Sequence, residues 1–123
     1  MIKLATRRHR GEYFFVQDIC NWETNRKFDF IVAWDSIFHL PLAEQEPAVS
    51  KLCRLLSGCG VVLYTLGDSE GEHADEWRGE VFYYSSIGIK ENLRVLAANG
   101  VTCKHWELDQ WPQNHVVVIG VKL

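Results

Sequence analysis

Residues 28–40 read FDFIVAWDSIFHL. Phe30 to Trp34 is an unbroken apolar run with Phe28 two positions earlier, and it stops abruptly at Asp35. An apolar run without alternation is the pattern of a parallel strand buried on both faces, and a carboxylate just past the C-terminal end of such a strand stands where α/β sheets bind ligands. The stretch upstream is short and basic. The fold therefore turns on what lies beside this strand.

Downstream, Ser36 to Pro41 reads as a loop, and a helix follows through about Ser57, with Pro47 tolerated in its first turn. Ala48, Val49, Leu52, Cys53, Leu55 and Leu56 recur at helical spacing and place the apolar residues on one face. Ser57-Gly58-Cys59-Gly60 stops that helix, and Val61 to Leu66 resumes a β-rich run. Strand, helix, strand implies a parallel crossover. Gly67 to Gly79 is polar and reads as a loop or insertion, and Val81 to Tyr84 is an aromatic segment. Ser85 and Ser86 then cap a helix from about Ile87 to Asn99, which Asn99-Gly100 ends. Val101 to Leu108 and His115 to Lys122 are the last strands. The connection between them is too short for a crossover helix, so they pair antiparallel. Upstream, Met1 to Arg10 has the makings of about two helical turns, Tyr13 to Gln17 (YFFVQ) reads as a short strand ending at Asp18, and Ile19 to Lys27 as a loop.

Composition restricts the function classes. A chain of 123 residues is expected to form a single domain (1–123), one that buries roughly two-thirds of its unfolded surface. No apolar run approaches the ~20 residues of a membrane span, and residues 1–11 carry cations without the apolar stretch of a signal peptide. A cytoplasmic protein is the expectation. The net charge of -3 gives no reason to expect nucleic acid as a partner, and the Arg7-Arg8-His9-Arg10 cluster reads as a solvated helix end. Cys20, Cys53, Cys59 and Cys103 form no C-x-x-C pair, so they read as reduced thiols, with Cys53 a small core residue. No metal site is expected: among Glu70, Glu72, His73, Asp75 and Glu76 no second histidine falls at ligand spacing.

In their order and spacing these pieces resemble the carboxyl half of the class I S-adenosylmethionine-dependent methyltransferases, over nearly the whole chain. Tyr13 to Ile19 is similar to the family's third strand with its acidic residue, Phe28 to Asp35 to its fourth strand, and Ile37 to Leu40 to the hydrophobic-His-Leu that often follows. Leu55 to Tyr64 (LLSGCGVVLY) resembles the helix end, glycine-rich turn and fifth strand, with Ser57 and Cys59 in place of commoner residues. The family's own glycine-rich loop and ribose-binding acid would precede Met1. Gly58-Cys59-Gly60 has the letters G-x-G but lies at a helix-to-strand turn, the reverse of the turn that motif needs.

The resemblance implies an α/β fold: a truncated, Rossmann-like methyltransferase sheet, mostly parallel with a C-terminal antiparallel hairpin. It implies S-adenosylmethionine as cofactor, if the site is completed, and a small-molecule methyl acceptor. Carried over by position, Asp18 would accept the adenine amino group and the Ile19 backbone would meet the ring edge. Trp34 and Asp35 would lie by the methionine moiety and the acceptor. Asp18 reads equally as a turn-forming residue, and Asp35 as a cap. His39 is the candidate general base, because imidazole titrates near neutral pH; between Phe38 and Leu40 it reads also as a packing histidine. Tyr83 and Tyr84 are candidate substrate-pocket walls, or core. With the first two family strands lacking, the central strand has an unpaired edge, which predicts a homodimer or a partner chain. The competing class is a non-enzymatic interaction module descended from such an enzyme.

Overall fold

A computed structural model describes residues 1–123. In chain order its elements are α1 (Ile2–Arg8), β1 (Phe28–Ala33), α2 (Gln45–Leu55), β2 (Leu56–Gly67), β3 (Glu70–Trp77), β4 (Glu80–Ile87), α3 (Gly88–Ala98), β5 (Val101–Glu107) and β6 (His115–Lys122). Short 3-10 turns at Ile37–His39 and Leu42–Glu44 lead from β1 into α2. Pro47 lies in the first turn of α2, where its missing N–H removes no helical bond. No helix is long and apolar enough to cross a membrane.

The main sheet has the order β1-β2-β6-β5. β1 and β2 run parallel, with Phe30 to Ala33 opposite Val61 to Tyr64, while β6 is antiparallel to both β2 and β5. The sheet is therefore mixed, which corrects the expectation of a mostly parallel one. β5 and β6 are joined by a short connection, so β6 must return antiparallel, and it inserts between β2 and β5 rather than adding at an edge. That insertion makes two of the three pairings antiparallel.

Two further expectations are corrected. Tyr13 to Gln17 forms no strand: its residues are irregular and, apart from the half-buried Phe14, exposed, with Tyr13 and Val16 almost fully so. An aromatic, β-branched tract pairs only where a neighbouring ladder exists, and β1, the strand at that edge, pairs on its other side with β2 alone. The polar stretch after Gly67 is a strand, β3, that forms a two-stranded sheet with β4. Its turn is Arg78-Gly79, both at positive φ (51° and 80°), the backbone that a two-residue hairpin requires. Every β3 residue is exposed, so no alternation of apolar and polar residues marks it.

The core lies between the main sheet and the two long helices. Val62, Tyr64, Leu66, Val116 and Val118 project from the sheet onto Ala48, Val49, Leu52 and Cys53 of α2 and Val95 and Leu96 of α3. Gly120 belongs to this face: a Cβ there would stand 2.6 Å from Val101 Cγ1 and 3.3 Å from Val62 Cγ1, so no larger residue fits between β6 and its neighbours. Tyr64, wholly buried, donates its hydroxyl to Asn92 Oδ1 (3.0 Å), whose amide in turn donates to the Gly88 carbonyl. The opposite face is bare of helices. There Phe30 and Val32 are 59% and 53% exposed, beside half-buried Val61, Leu63, Ile119 and Val121.

Candidate functional site

β1 ends at Ala33, and the chain turns at Asp35 through the left-handed region, φ 47°, which aspartate tolerates better than most residues. The turn is pinned from β2. The Asp35 N–H donates to Thr65 Oγ1 (2.7 Å), and the Thr65 hydroxyl lies 3.3 Å from Asp35 Oδ1. His115, the first residue of β6, stands opposite Gly67 at the same end of the sheet. Its Nε2 is 2.7 Å from Asp35 Oδ1 and its Nδ1 2.6 Å from Asp109 Oδ1. Both neighbours are carboxylate oxygens, so the ring donates to both only when both nitrogens carry protons, as in the imidazolium form. Burial opposes that charge, but the hydrogen bonds to Asp109 and Asp35 and their negative charges outweigh it and raise the His115 pKa. Trp34 and Phe38 flank the ring at centroid distances of 5.5 and 6.3 Å.

Asp35 and His115 open onto a cavity of about 920 Å³ between the end of the sheet and the β3–β4 hairpin. Asp35, Asp68, Glu70, Glu72 and Asp75 line it, with Phe38, Trp77 and Tyr84 as aromatic walls and no lysine or arginine. The hairpin is held to the body through Gln45 and Ser85. Gln45 Nε2 donates to Ile37 O and Ser85 Oγ, both at 2.7 Å, and Ser85 Oγ donates to Leu40 O at 2.5 Å. At the other end Ser86 Oγ donates to Gly67 O and accepts the Gly88 N–H, tying the end of β2 to the start of α3. The N-cap of α3 is Ile87, which makes no side-chain cap bond, so the expected serine cap is not formed. A second, apolar groove of about 420 Å³ runs along the free edge of β1, lined by Ile19, Trp22, Phe30, Ile37, Leu40 and Leu52 among others.

The residues singled out from the sequence divide between these places. Asp35 lines the large cavity, and Trp34, half exposed, packs on His115. Tyr84 lines the cavity too, stacked on His73 at 5.2 Å. Tyr83 alternates to the other side of β4, and its phenol donates to Glu72, a bond that raises the Tyr83 pKa. His39 lies among Phe38, Phe82 and Tyr84, its Nδ1 2.9 Å from the Tyr83 carbonyl oxygen, and lines neither cavity. Asp18 caps its own turn, accepting from the Cys20 N–H and the Asn21 amide, both at 2.9 Å. Ile19 lines the apolar groove, and Lys51 fixes this loop by donating to the carbonyls of Ile19, Cys20 and Trp22.

His115 and Asp109 are the functional candidates that sequence reading missed. His115 is 80 residues from Asp35, and only the antiparallel return of β6 joins them. The one local signal is a histidine opening an otherwise apolar strand, HVVVIGV.

No family model matches the chain, and no curated protein matches it. Solved structures do. A 1,6-didemethyltoxoflavin-N1-methyltransferase from Burkholderia thailandensis, solved with S-adenosylhomocysteine, superposes with a TM-score of 0.71 at 16% identity, over 98% of this chain and 55% of its own. An amino pentose methyltransferase from Micromonospora echinaspora, with S-adenosylmethionine bound, gives 0.72 at 14% identity, over 98% and 69%. A methyltransferase from Methanosarcina mazei gives 0.75 at 17% identity, over 99% and 77%. The chain thus spans little more than half the length of the first of these. At such low identity the likeness is one of fold alone: this chain is similar in architecture to part of these solved methyltransferases.

Proposed function

We propose that the chain is the C-terminal part of an S-adenosylmethionine-dependent methyltransferase acting on a small molecule, with the cavity beyond β1 as the place of the methyl acceptor. The observation that supports this reading most is the Asp35–His115–Asp109 array: a fixed carboxylate at the C-terminal end of a parallel pair, where α/β folds hold ligands. S-adenosylmethionine, when bound, supplies an electrophilic methyl group. The apolar groove lined by Ile19 and Leu40 would take its adenine end, with Asp18, next to Ile19 in the chain, as the acceptor for the amino group. Trp34 and Asp35, next along the chain from that groove, would separate the cofactor from the acceptor. The acceptor would be oriented by Asp35 and the aromatic walls Phe38 and Tyr84; alignment of this kind supplies much of the rate of a methyl transfer without a dedicated base. Calorimetry and thermal shift with S-adenosylmethionine test the reading. Measurable heat or a rise in melting temperature is expected, and neither at millimolar cofactor would end the case for binding by this chain.

A second reading, an interaction module, rests on a different observation. The free edge of β1 and the bare face carrying Phe30, Val32, Val61, Leu63, Ile119 and Val121 are contiguous and apolar. Sheets that contain parallel strands are normally covered on both faces, and an open apolar edge invites pairing. A dimer in light scattering at tens of micromolar, lost in the double variant Phe30→Lys/Val32→Lys, is the expected result. A clean monomer at high concentration counts against it.

A further inference from the structure

Two members of the array at the end of β1, Asp35 and His115, line the cavity, but only Asp35 presents an unengaged polar atom to it. Both side-chain hydrogen bonds of Asp35 end on the same oxygen, Oδ1: one from His115 Nε2 and one from Thr65 Oγ1. Oδ2 takes none from the protein, and the side chain is 48% exposed in a residue that lines the cavity. His115 differs. Its side chain is only 10% exposed, and both nitrogens are occupied, so it cannot reach a ligand without giving up a carboxylate. Asp109, an exposed residue whose side chain is 17% accessible, anchors the far side of the ring.

We infer that His115 is a positioning residue: doubly hydrogen-bonded between Asp109 and Asp35, it holds the Asp35 carboxylate by one oxygen and leaves the other facing the cavity as the hydrogen-bond acceptor for a hydroxyl or amine of the methyl acceptor. The inference rests on the proposed methyltransferase reading for what enters the cavity, but the clamp itself does not. Loss of the Nε2 proton would set a lone pair against Asp35 Oδ1 and free Asp35 to rotate, and loss of the Nδ1 proton would set one against Asp109 and release the ring that holds Asp35. The groups that face this array are Asp35 at the end of β1, Asp109 before β6, and across the cavity Asp68, Glu70, Glu72, His73, Asp75 and Tyr84. Apart from His73 they are acids, and the cation that balances Asp35 is His115.

Nuclear magnetic resonance of the full chain, labelled at the histidine ring nitrogens and aspartate carboxyls, tests the clamp. At neutral pH both His115 nitrogens are expected to be protonated, and the Asp35 carboxyl signal is expected to shift at the pH where His115 titrates. Asp109→Asn, which preserves shape, should lower that pH by on the order of one unit. A singly protonated ring at neutral pH, or a titration of His115 that leaves the Asp35 signal unmoved, overturns the clamp. The functional half uses radiolabelled S-adenosylmethionine with a panel of small amines and phenols. For any acceptor turned over, Asp109→Asn should raise KM severalfold and move the alkaline limb of the pH profile downward. An unchanged profile overturns the positioning role. Turnover of no acceptor, with the clamp intact by resonance, refutes the acceptor contact and the methyltransferase reading for the isolated chain while leaving the clamp established. His115→Gln, which keeps an amide donor, is the second variant should Asp109→Asn fail to fold.

Discussion

Gln45 is the most informative residue to perturb, because one wholly buried amide joins three parts of the structure that frame the cavity. Its Nε2 donates to Ile37 O and Ser85 Oγ at 2.7 Å, with longer contacts to Ser85 O (3.3 Å) and Leu40 O (3.5 Å). The first of these belongs to the turn after β1, the second to β4 of the hairpin, and Gln45 itself opens α2. Gln45→Met keeps the volume close and removes the donors. Two short neutral hydrogen bonds at about 1 kcal/mol each give about 2 kcal/mol. The further penalty for stranding buried acceptors is small here, since Ile37 O still accepts the Leu40 N–H and Ser85 Oγ still donates to Leu40 O. Urea unfolding should therefore show a loss of about 2 kcal/mol, a shift of the midpoint on the order of 1 M at unchanged slope. Amide exchange should quicken first in β4. A loss under about 0.5 kcal/mol would mean that water or a shifted side chain replaces the amide, and the hairpin would not be held as described.

Other expected outcomes follow from single sites. Gly120→Ala forces a Cβ into Val101 and should cost about 1–3 kcal/mol by denaturant unfolding. Cys59, at φ 64° in the irregular stretch of β2 between the paired residues Leu56 and Val61, holds a backbone that favours glycine, so Cys59→Gly should stabilise by about 1 kcal/mol. Cys53 is wholly buried and its thiol is pushed up to about 11 by desolvation, whereas Cys59 is exposed; a thiol reagent should label Cys59 rapidly and Cys53 only on unfolding. The raised His115 pKa has a definite sign for stability: its contribution is fully present below the unfolded value near 6.5 and is lost as pH rises through the folded value. The stability gap between the native chain and His115→Gln, measured by urea unfolding across pH, should be widest in acid and narrow toward alkaline pH.

What was legible in the sequence follows from where each signal is written. The α2 face and HVVVIGV are covered by tertiary structure, and their apolar residues record that covering. FDFIVA is covered on one face only, where Ile31 and Ala33 pack on the core. As an edge strand with Phe30 and Val32 exposed, it is not the strand buried on both faces that its unbroken apolar run predicts. β3 records nothing, because it packs on no core; it is a strand only by pairing with β4 across the Arg78-Gly79 turn. YFFVQ errs the other way: it has the composition of a strand and lacks a ladder to join. Asp35 was legible because a strand's end is a local event, whereas its partners were not, since they belong to a turn and a strand that return from the far edge of the sheet.

The same return explains why the site is where it is. β1 and β2 run parallel, so their C-terminal ends lie together and present Asp35 and Thr65 side by side. β6 is antiparallel to β2, so it is the beginning of β6, not its end, that reaches this edge, and residues just before that strand arrive with it. A parallel strand inserted in that position would bring its C-terminal end there and carry its starting residue to the opposite edge. The mixed topology thus delivers His115 to Asp35 and carries Asp109 in behind it. A change in the β5–β6 connection should consequently act on the site without touching β1. Deleting one residue between Asp109 and Asn114 should uncouple Asp35 from His115 in the resonance experiment, while the Val62–Val118 core and the global stability change little. If the coupling survives that deletion, the register of β6 is not what places the histidine.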